Sequence, residues 1–429
     1  YNMKKVQEIF FLAMGGLLGS VGILYGMTFH YFLLFVAIFF AFSNWNSFIE
    51  KVRSGKDYIL VFIVYLLYIS LQTIFLNAGV NDKAYFGIFE TISLNFILVP
   101  VYVATLREIM TSRLLKQFLF LFCAGCVLLN LYIVFYLVGK KAFMDMQSTI
   151  EFLYTSRFGD NKMSLLGGSL LLEPQAFTIA LTALISYIMI FIERRWEMKI
   201  LCGMMLLLLL FFLSFTVTKA GLLAFTAGFV LVNIYILKKR TWRMRLTLLA
   251  CVFLFVSGVF VFDGFREKYK ERTGEIIVEL GNIKHGVYSG GTIAPRVGFI
   301  REAYIHVDEF AFWGLGVYAK NRVKEWFKNS DAGLGEFRNV HNTFLHYWIQ
   351  GGVFGLAIMI FLFGAPFYMM IRNRRFSYLI ASMMVVIIIT NGSTILLDLN
   401  NSRFIIVLLL SMFYYYGDTF RQIEKAIIR

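Results

Sequence analysis

The side chain best suited to proton transfer in this sequence is His341. It lies in the polar stretch Asn-Val-His-Asn-Thr at residues 339–343, where a long apolar run begins. Histidine titrates near neutral pH and can take a proton from a hydroxyl group, which predicts a general base. The structural alternative is a hydrogen-bonding residue that caps the following helix.

Two cations lie where helices are expected to begin, which is where anions bind. Arg296 follows the Gly-rich segment 288–292 and Pro295, so its guanidinium can offer paired donors to a phosphate near a helix start. Lys219 ends the polar turn 214–219, just before an apolar helix. A helix N-terminus and a cation together form a phosphate site, although Lys219 could instead extend to lipid headgroups. Arg301, five positions after Arg296, is predicted to face another side of the same helix.

Glu173 is the candidate carboxylate. It precedes Pro174 in the apolar stretch 170–177, and this proline is expected to start or kink a helix and leave backbone groups open to a ligand. Ionisable groups at the membrane edge are energetically expensive, so they are functional candidates. The alternative is a structural ion pair with an arginine such as Arg157.

Several other chemistries find no support in the sequence. His341 and His346 lack the spacing of a helical zinc pair, no Asp-x-Asp triplet is present, and nucleotide-binding or serine-hydrolase motifs are absent. We therefore expect no metal and no cofactor. The four cysteines lie in apolar runs and predict no disulfide framework.

The composition indicates that these residues are carried by membrane-spanning helices. Of 429 residues, 59% are hydrophobic and only 16% are charged, and the mean hydropathy is +0.71. Because a span needs about 20 apolar residues, the hydropathy pattern predicts an all-α polytopic membrane protein with about 12 transmembrane helices. The predicted spans are 8–25, 29–48, 58–77, 85–105, 115–138, 170–192, 199–216, 219–237, 246–262, 343–371, 377–397 and 400–417.

Basic residues predict the orientation of these spans. Lys and Arg cluster in alternate short connections, as the positive-inside rule requires of cytoplasmic loops. Both termini should then be cytoplasmic, which accounts for much of the net charge of +15 without a nucleic-acid partner. The clusters lie at 4–5, 51–56, 107–116, 194–199, 238–245, 372–375 and 421–429.

Two long segments remain on the outer side, which is where function is expected. The chain thus divides into helices 1–9 over residues 1–262, with an outer loop at about 139–168, a large outer loop at 263–342, and helices 10–12 with a cytoplasmic C-terminus at 343–429. The large loop should contain short helices. One, from Phe265 onward, is either a lipid-surface helix or a solvated one, and a second should run from Arg296 to Gly314 and Gly316.

In this order, the motifs resemble those of the bacterial O-antigen ligase and polysaccharide polymerase superfamily (WaaL-like and Wzy-like proteins). The densest similarity runs from Arg296 through Gly314-Leu-Gly316 and the His341-Asn342 pair to Gly355. Upstream, Glu173-Pro174 is similar to the Glu-Pro of exopolysaccharide and capsule polymerases. The turn ending at Lys219 resembles one that often ends in Arg in this superfamily, so Lys219 departs from that pattern.

The resemblance implies an architecture of the GT-C membrane glycosyltransferase type. It also implies a metal-independent, inverting transfer of a glycan from undecaprenyl diphosphate to a hydroxyl on the outer face of the inner membrane. His341 and Arg296 would be catalytic. Lys219, Glu173, Arg157, Arg301 and Asn342 would bind the substrates.

Polymerase and ligase differ in the acceptor, which is a second lipid-linked repeat unit or a lipid A core sugar. The Glu-Pro segment and the loop around Arg157 favour the polymerase. The expected partners are the lipid-linked donor and acceptor, membrane lipids and a chain-length regulator, with a place in lipopolysaccharide or other polysaccharide biosynthesis. A lipid-linked glycan flippase and an assembly scaffold are the alternatives of other classes. The absence of two related halves disfavours a transporter.

Overall fold

The computed structural model describes most of the chain. The described residues are 2–20, 35, 38, 49–50, 53, 55–76, 91–139, 163–165, 168–170, 172–216, 218–239, 263–291, 293–335, 337, 339–372, 376–397 and 399–428. Of the predicted span 29–48 only residues 35 and 38 are described. The predicted span 246–262, and Arg157 in the predicted outer loop, lie outside the described residues.

The described elements are helices and one small hairpin. The helices are α1 (Asn2–Gly19), α2 (Lys56–Leu76), a π-helical segment (Thr91–Leu98) that continues into α3 (Val99–Thr105), α4 (Ser112–Gly139), α5 (Leu172–Ile192), α6 (Trp196–Thr216), α7 (Lys219–Lys239), α8 (Asp263–Lys284), α9 (Ala294–Ile305), α10 (Val307–Phe310), α11 (Ala319–Asn329), α12 (Thr343–Arg372), α13 (Tyr378–Ser393), α14 (Asn400–Tyr415) and α15 (Gly417–Ile428). Short 3-10 turns lie at Leu106–Glu108 and Gly316–Tyr318. Strands β1 (Met163–Leu165) and β2 (Gly168–Leu170) pair antiparallel, with Ser164 opposite Ser169.

Six described helices, α2, α4, α5, α6, α7 and α12, are long and apolar enough to cross a bilayer. This confirms the prediction of a helical, polytopic membrane protein. The helix α5 is apolar on all sides, and 94% of its most apolar window is buried. It packs against α4, α6, α7 and α13, so α5 is the centre of the bundle.

Glycines allow two of the helices to pack closely. A Cβ atom at Gly125 in α4 would collide with the backbone carbonyl of Gly16 in α1, and one at Gly19 would collide with the carbonyl of Phe122. Because lipid provides no hydrophobic force between helices, such backbone proximity is a main source of packing energy.

The segment between α8 and α12 has its own small core. Phe299, Phe310, Trp326 and Phe327 are buried together, and Ile349 of α12 joins them. The prediction of one helix from Arg296 to the Gly-Leu-Gly turn is wrong, because α9 ends at Ile305 and α10 follows separately. The backbone at His306 has φ −102° and ψ 17°, which is outside the helical range.

The helix α12 is interrupted at Gly352, whose φ of 59° and ψ of −148° are non-helical. The segment after α10 satisfies the backbone there, since Leu315 N–H donates to the Ile349 carbonyl at 2.8 Å and Val353 N–H donates to the Phe312 carbonyl at 3.1 Å. Irregular backbone is tolerated at membrane depth only where protein covers it. This contact therefore joins the segment between α8 and α12 to the helix that follows His341.

Candidate functional site

A cavity of about 180 Å³ lies where α5 and α7 begin, where α13 ends and where α9 begins. The residues that line it include Glu173, Lys219 and Arg296. Most of its other polar groups are hydroxyls, from Thr216, Thr218, Thr390, Ser393 and Thr394. The structure thus brings three of the sequence-predicted site residues, far apart in the chain, to one cavity.

Glu173 reaches the cavity from the first turn of α5. Pro174 follows at a position where its missing N–H has no helical partner to lose, so the Glu-Pro pair starts the helix and does not kink it. A carboxylate in the first turn is also stabilised by the helix dipole. The side chain of Glu173 is exposed, which leaves it accessible to a substrate in the cavity.

Lys219 is the first residue of α7, after a tight turn from the end of α6. Thr216 Oγ1 donates to the Leu213 carbonyl at 2.8 Å and lies 3.0 Å from Thr218 Oγ1, which defines the turn. The Lys219 ammonium lies 3.6 Å from the Glu279 carboxylate. The position combines a cation with a helix N-terminus, as the sequence predicts.

Arg296 lies in the first turn of α9, and its Nε–H donates to the Ser393 carbonyl at 3.0 Å. Burial lowers the pKa of Arg296, while the negative charges of Glu173 and Glu279 oppose that shift. Arginine remains protonated in proteins. The cavity therefore holds a fixed positive charge that is partly removed from water.

His341 lies just before α12 with a φ of 43°, a left-handed conformation that is uncommon outside glycine. Its N–H donates to Asn339 Oδ1 at 3.2 Å, and its ring stacks on Phe299 with centroids 5.6 Å apart. Burial and then the nearby charge of Arg296 lower the pKa of His341, against the opposing effect of Glu173. The imidazole is thus neutral at pH 7, which is the form that can accept a proton.

Three consecutive carbonyls at the C-terminal end of α13 bind the elements of the site. The Gly392 carbonyl accepts from Asn342 Nδ2 at 2.9 Å, the Ser393 carbonyl from Arg296, and the Thr394 carbonyl from Thr343 Oγ1 at 3.1 Å. The last carbonyls of a helix have no partner within it. The end of α13 therefore fixes α9 and the start of α12 relative to each other.

The remaining sequence-predicted residues lie elsewhere. Asn342 uses its other side-chain atom, Oδ1, to accept from Leu345 N–H at 3.0 Å, so it caps α12. Arg301 does not line the cavity: it pairs with Glu302 at 2.8 Å and lies over the Tyr288 ring, 5.5 Å from its centroid.

The sequence reasoning missed Glu279, a residue of α8 that is only 4% exposed. Its carboxylate accepts backbone N–H groups of Ile293 and Ala294, where α9 begins, and pairs with Lys219. The mixed charges of this helix suggested a solvated surface. A carboxylate within the apolar run Ile-Ile-Val-Glu-Leu, residues 276–280, was the signal that could have identified it.

Aromatic side chains can stack on the faces of sugar rings, but two tryptophans of this protein have packing roles. Trp326 is buried and stacks on His306, with ring centroids 4.6 Å apart, and Trp348 donates to the Ala311 carbonyl at 3.1 Å. Tyr318 is 39% exposed.

Among the described residues, no group of three His, Cys, Asp or Glu side chains could hold a metal ion.

Comparison with known proteins supports the resemblance seen in the sequence. Residues 204–360, from α6 into α12, match the family described as O-antigen ligase. The match confirms the predicted similarity to the O-antigen ligase and polysaccharide polymerase superfamily and does not separate its two activities. It points to a glycosyltransferase-like membrane enzyme of polysaccharide assembly. No curated protein matches the chain.

Proposed function

We propose that this protein is a polysaccharide polymerase. It transfers a growing O-antigen, capsule or exopolysaccharide chain from undecaprenyl diphosphate to a sugar hydroxyl of another lipid-linked repeat unit. The observation that carries this proposal is the convergence of Glu173, Lys219 and Arg296 on one hydroxyl-lined cavity. His341 is not among the lining residues, but it is close enough for the charges of Arg296 and Glu173 to act on its ring. Two fixed cations fit a diphosphate, and a neutral imidazole fits a hydroxyl that must lose its proton.

The cations act on the leaving group. When the glycosidic bond to the lipid diphosphate breaks, negative charge grows on the phosphate oxygens. Lys219 and Arg296 are held in place before the reaction, so they stabilise this charge more in the transition state than in the ground state. Arg296 can form two parallel hydrogen bonds to phosphate, whereas Lys219 provides a point charge.

His341 acts on the acceptor. It removes the hydroxyl proton as the acceptor oxygen attacks the anomeric carbon from the face opposite the diphosphate. The configuration of the anomeric carbon is therefore inverted, and no covalent enzyme intermediate forms. The lowered pKa of His341 keeps the ring unprotonated and ready to accept this proton at pH 7.

The other predicted site residues act on substrate orientation. Glu173 lines the cavity and can accept hydrogen bonds from acceptor hydroxyls. Asn342 holds the start of α12 and hence His341. Arg301 would meet a more distant part of the glycan, and Arg157 would orient the acceptor from the outer loop at about 139–168.

The proposed architecture is of the GT-C type with 12 spans, both termini in the cytoplasm and the site on the outer face of the inner membrane. It comprises spans 1–9 over residues 1–262, the outer loop 263–342 and spans 10–12 over residues 343–429. The positions of the cavity residues support this orientation. Each of Glu173, Lys219 and Ser393 lies at the helix end opposite the basic loops.

The ligase is the second candidate, because the family match does not separate the two activities. In that case the acceptor would be a lipid A core sugar, and the roles of Lys219, Arg296 and His341 would stay the same. The Glu-Pro start of α5, which places Glu173 at the cavity, supports the polymerase. We also propose that a chain-length regulator binds the enzyme in the membrane.

The test is a transfer reaction in liposomes with purified protein and undecaprenyl diphosphate-linked repeat units, with EDTA and without nucleotide. If the protein is a polymerase, the reaction should give a ladder of products that persists in EDTA and is absent with the Arg296→Ala protein. The control is Arg322→Ala, which removes an exposed arginine from α11 and should leave the ladder intact.

The other outcomes are also decisive. Transfer only after a lipid A core acceptor is added would identify a ligase. No transfer to either acceptor by folded protein would refute both enzymes and favour the flippase. A normal ladder from Arg296→Ala would contradict the catalytic role of Arg296.

A further inference from the structure

We infer that Glu279 is a positioning residue that holds Lys219 and the Arg296-bearing helix together, so that both cations line one diphosphate site. This inference rests on the proposed function. It differs from the assignment of the cations themselves, because Glu279 is not among the residues that line the cavity.

The burial of Glu279 is the first observation. Its neighbours Ile277, Val278 and Leu280 on α8 are 68%, 62% and 50% exposed, whereas the charged Glu279 is 4% exposed. Taking a carboxylate out of water is energetically unfavourable unless partners compensate for the lost hydration. Because α8 exposes apolar side chains and buries this carboxylate, groups packed against the buried face must compensate for the lost hydration.

The hydrogen-bond donors and the cation around Glu279 provide this compensation. One carboxylate oxygen, Oε2, accepts the N–H of Ile293 and, at 3.1 Å, the N–H of Ala294, where α9 begins. Ile293 has no side-chain acceptor, so it cannot cap α9 by itself. Glu279 acts as the cap from another helix, and α9 carries Arg296 in the same turn.

The second carboxylate oxygen, Oε1, lies 3.6 Å from the ammonium of Lys219. Glu279 thus connects the first residue of α7 with the first turn of α9, and these are the two positions that bear the cavity cations. Its charge also interacts favourably with Arg296. One buried carboxylate therefore contacts both helix starts that bear the positive charges.

The Gly-rich segment before α9 is shaped around this carboxylate. Gly291 has a φ of 71°, and a Cβ atom there would collide with the carboxyl group of Glu279. Gly290 has a similar φ of 84°, and a Cβ atom there would meet no atom within 4 Å. The two glycines thus differ in their contact with Glu279, whereas a side chain at either position would strain the backbone.

The first test is Glu279→Gln. The amide oxygen can still accept the two backbone N–H groups, so the protein should fold, but Lys219 loses its anionic partner. Because a displacement of about 1 Å can cost about 100-fold in rate, we expect kcat for lipid-linked donor to fall about 10- to 100-fold, with a smaller change in KM. A kcat within twofold of wild type would overturn the inference.

The second test separates displacement of the carboxylate from loss of its charge. Gly291→Ala should lower kcat as Glu279→Gln does, because the new methyl group displaces the carboxylate. Gly290→Ala is the matched control, because it also introduces a side chain at a positive φ, and it should retain most of the wild-type rate. Equal rates in the two glycine variants would contradict the role of Glu279, and this comparison holds even if Glu279→Gln does not fold.

The third test is a double-mutant cycle on single-turnover transfer with Lys219→Met. If Glu279 acts through Lys219, Glu279→Gln should reduce the rate less in the Lys219→Met protein than in wild type. If the effects of the two substitutions on the transfer rate multiply fully, Glu279 acts independently of Lys219. Its role would then be purely structural, and the inference would be overturned. Failure of the proposed function would be distinct, since the wild-type protein would then show no transfer.

Discussion

The backbone conformation at Gly352 leads to a stability prediction that can be worked out in numbers. With a φ of 59° and a ψ of −148°, this residue adopts a conformation that is open only to glycine. A Cβ atom would also collide with the Phe312 carbonyl and lie 2.7 Å from the Gly314 nitrogen. Gly352→Ala therefore disturbs the contact that joins the segment between α8 and α12 to α12 itself.

Two contributions to the free energy of unfolding add up. Forcing a residue with a side chain into such a conformation costs about 1–3 kcal/mol. Inserting a methyl group against fixed backbone costs about 1–3 kcal/mol more, because a carbonyl cannot move aside as a flexible side chain can. We expect Gly352→Ala to destabilise the protein by about 2–6 kcal/mol in total.

The assay is the apparent melting temperature in detergent, followed by intrinsic fluorescence. At about 2 °C per kcal/mol for a large domain, Gly352→Ala should melt about 4–12 °C below wild type. Gly364→Ala is the control in the same helix, since a Cβ atom there meets nothing within 4 Å. Its melting temperature should equal or slightly exceed that of wild type, because alanine favours a helix more than glycine does. If the two variants melted at the same temperature, the reasoning about Gly352 would be wrong.

Three further predictions concern the site and the bundle. Burial and the charge of Arg296 lower the pKa of His341, so kcat/KM should rise with pH only below about 6.5 and be flat from pH 7 to 8. A continued rise of kcat/KM above pH 7 would exclude His341 as the base. Lys219→Arg keeps the positive charge and should stay within about 10-fold of the wild-type rate in the liposome transfer reaction, whereas Lys219→Met should lose about 100-fold or more. Equal rates of the Lys219→Arg and Lys219→Met proteins would refute charge stabilisation by Lys219. Gly125→Ala should lower the apparent melting temperature, because its methyl group meets the backbone of α1. Gly203→Ala is the control and should not lower it, since the space around Gly203 is open. Similar melting temperatures of the two variants would contradict the close packing of α1 and α4.

Much of the cavity could be predicted from local sequence patterns. Lys219 and Arg296 each combine a cation with a predicted helix start, and Glu173 precedes a proline in an apolar run. These patterns depend on residues within a few positions of each other, so no tertiary information was needed to select the three side chains. Their convergence on one cavity depends on how α5, α7 and α9 pack, which hydropathy alone does not specify.

Other features of the site depend on contacts that no local pattern predicts. The Arg296 side chain and its acceptor at Ser393 are 97 positions apart, and Asn342 and its acceptor at Gly392 are 50 apart. Arg301 and Arg296 have the same residue type on the same helix, yet only Arg296 lines the cavity. Residue type was thus sufficient to identify candidate site residues, whereas helix packing determined which of them lie together at the cavity.

By itself, the sequence determined that this protein is a helical membrane protein whose basic loops and polar helix starts lie at opposite ends of its spans. Hydrophobicity, helix capping and charge asymmetry act over a few residues and require no knowledge of the fold. Only the tertiary structure decided that the last carbonyls of α13 hold α9 and α12, and that the buried Glu279 connects Lys219 with the helix of Arg296. The physical reason is that hydrogen bonds and ion pairs act over a few ångströms in space, whatever the separation of their groups along the chain.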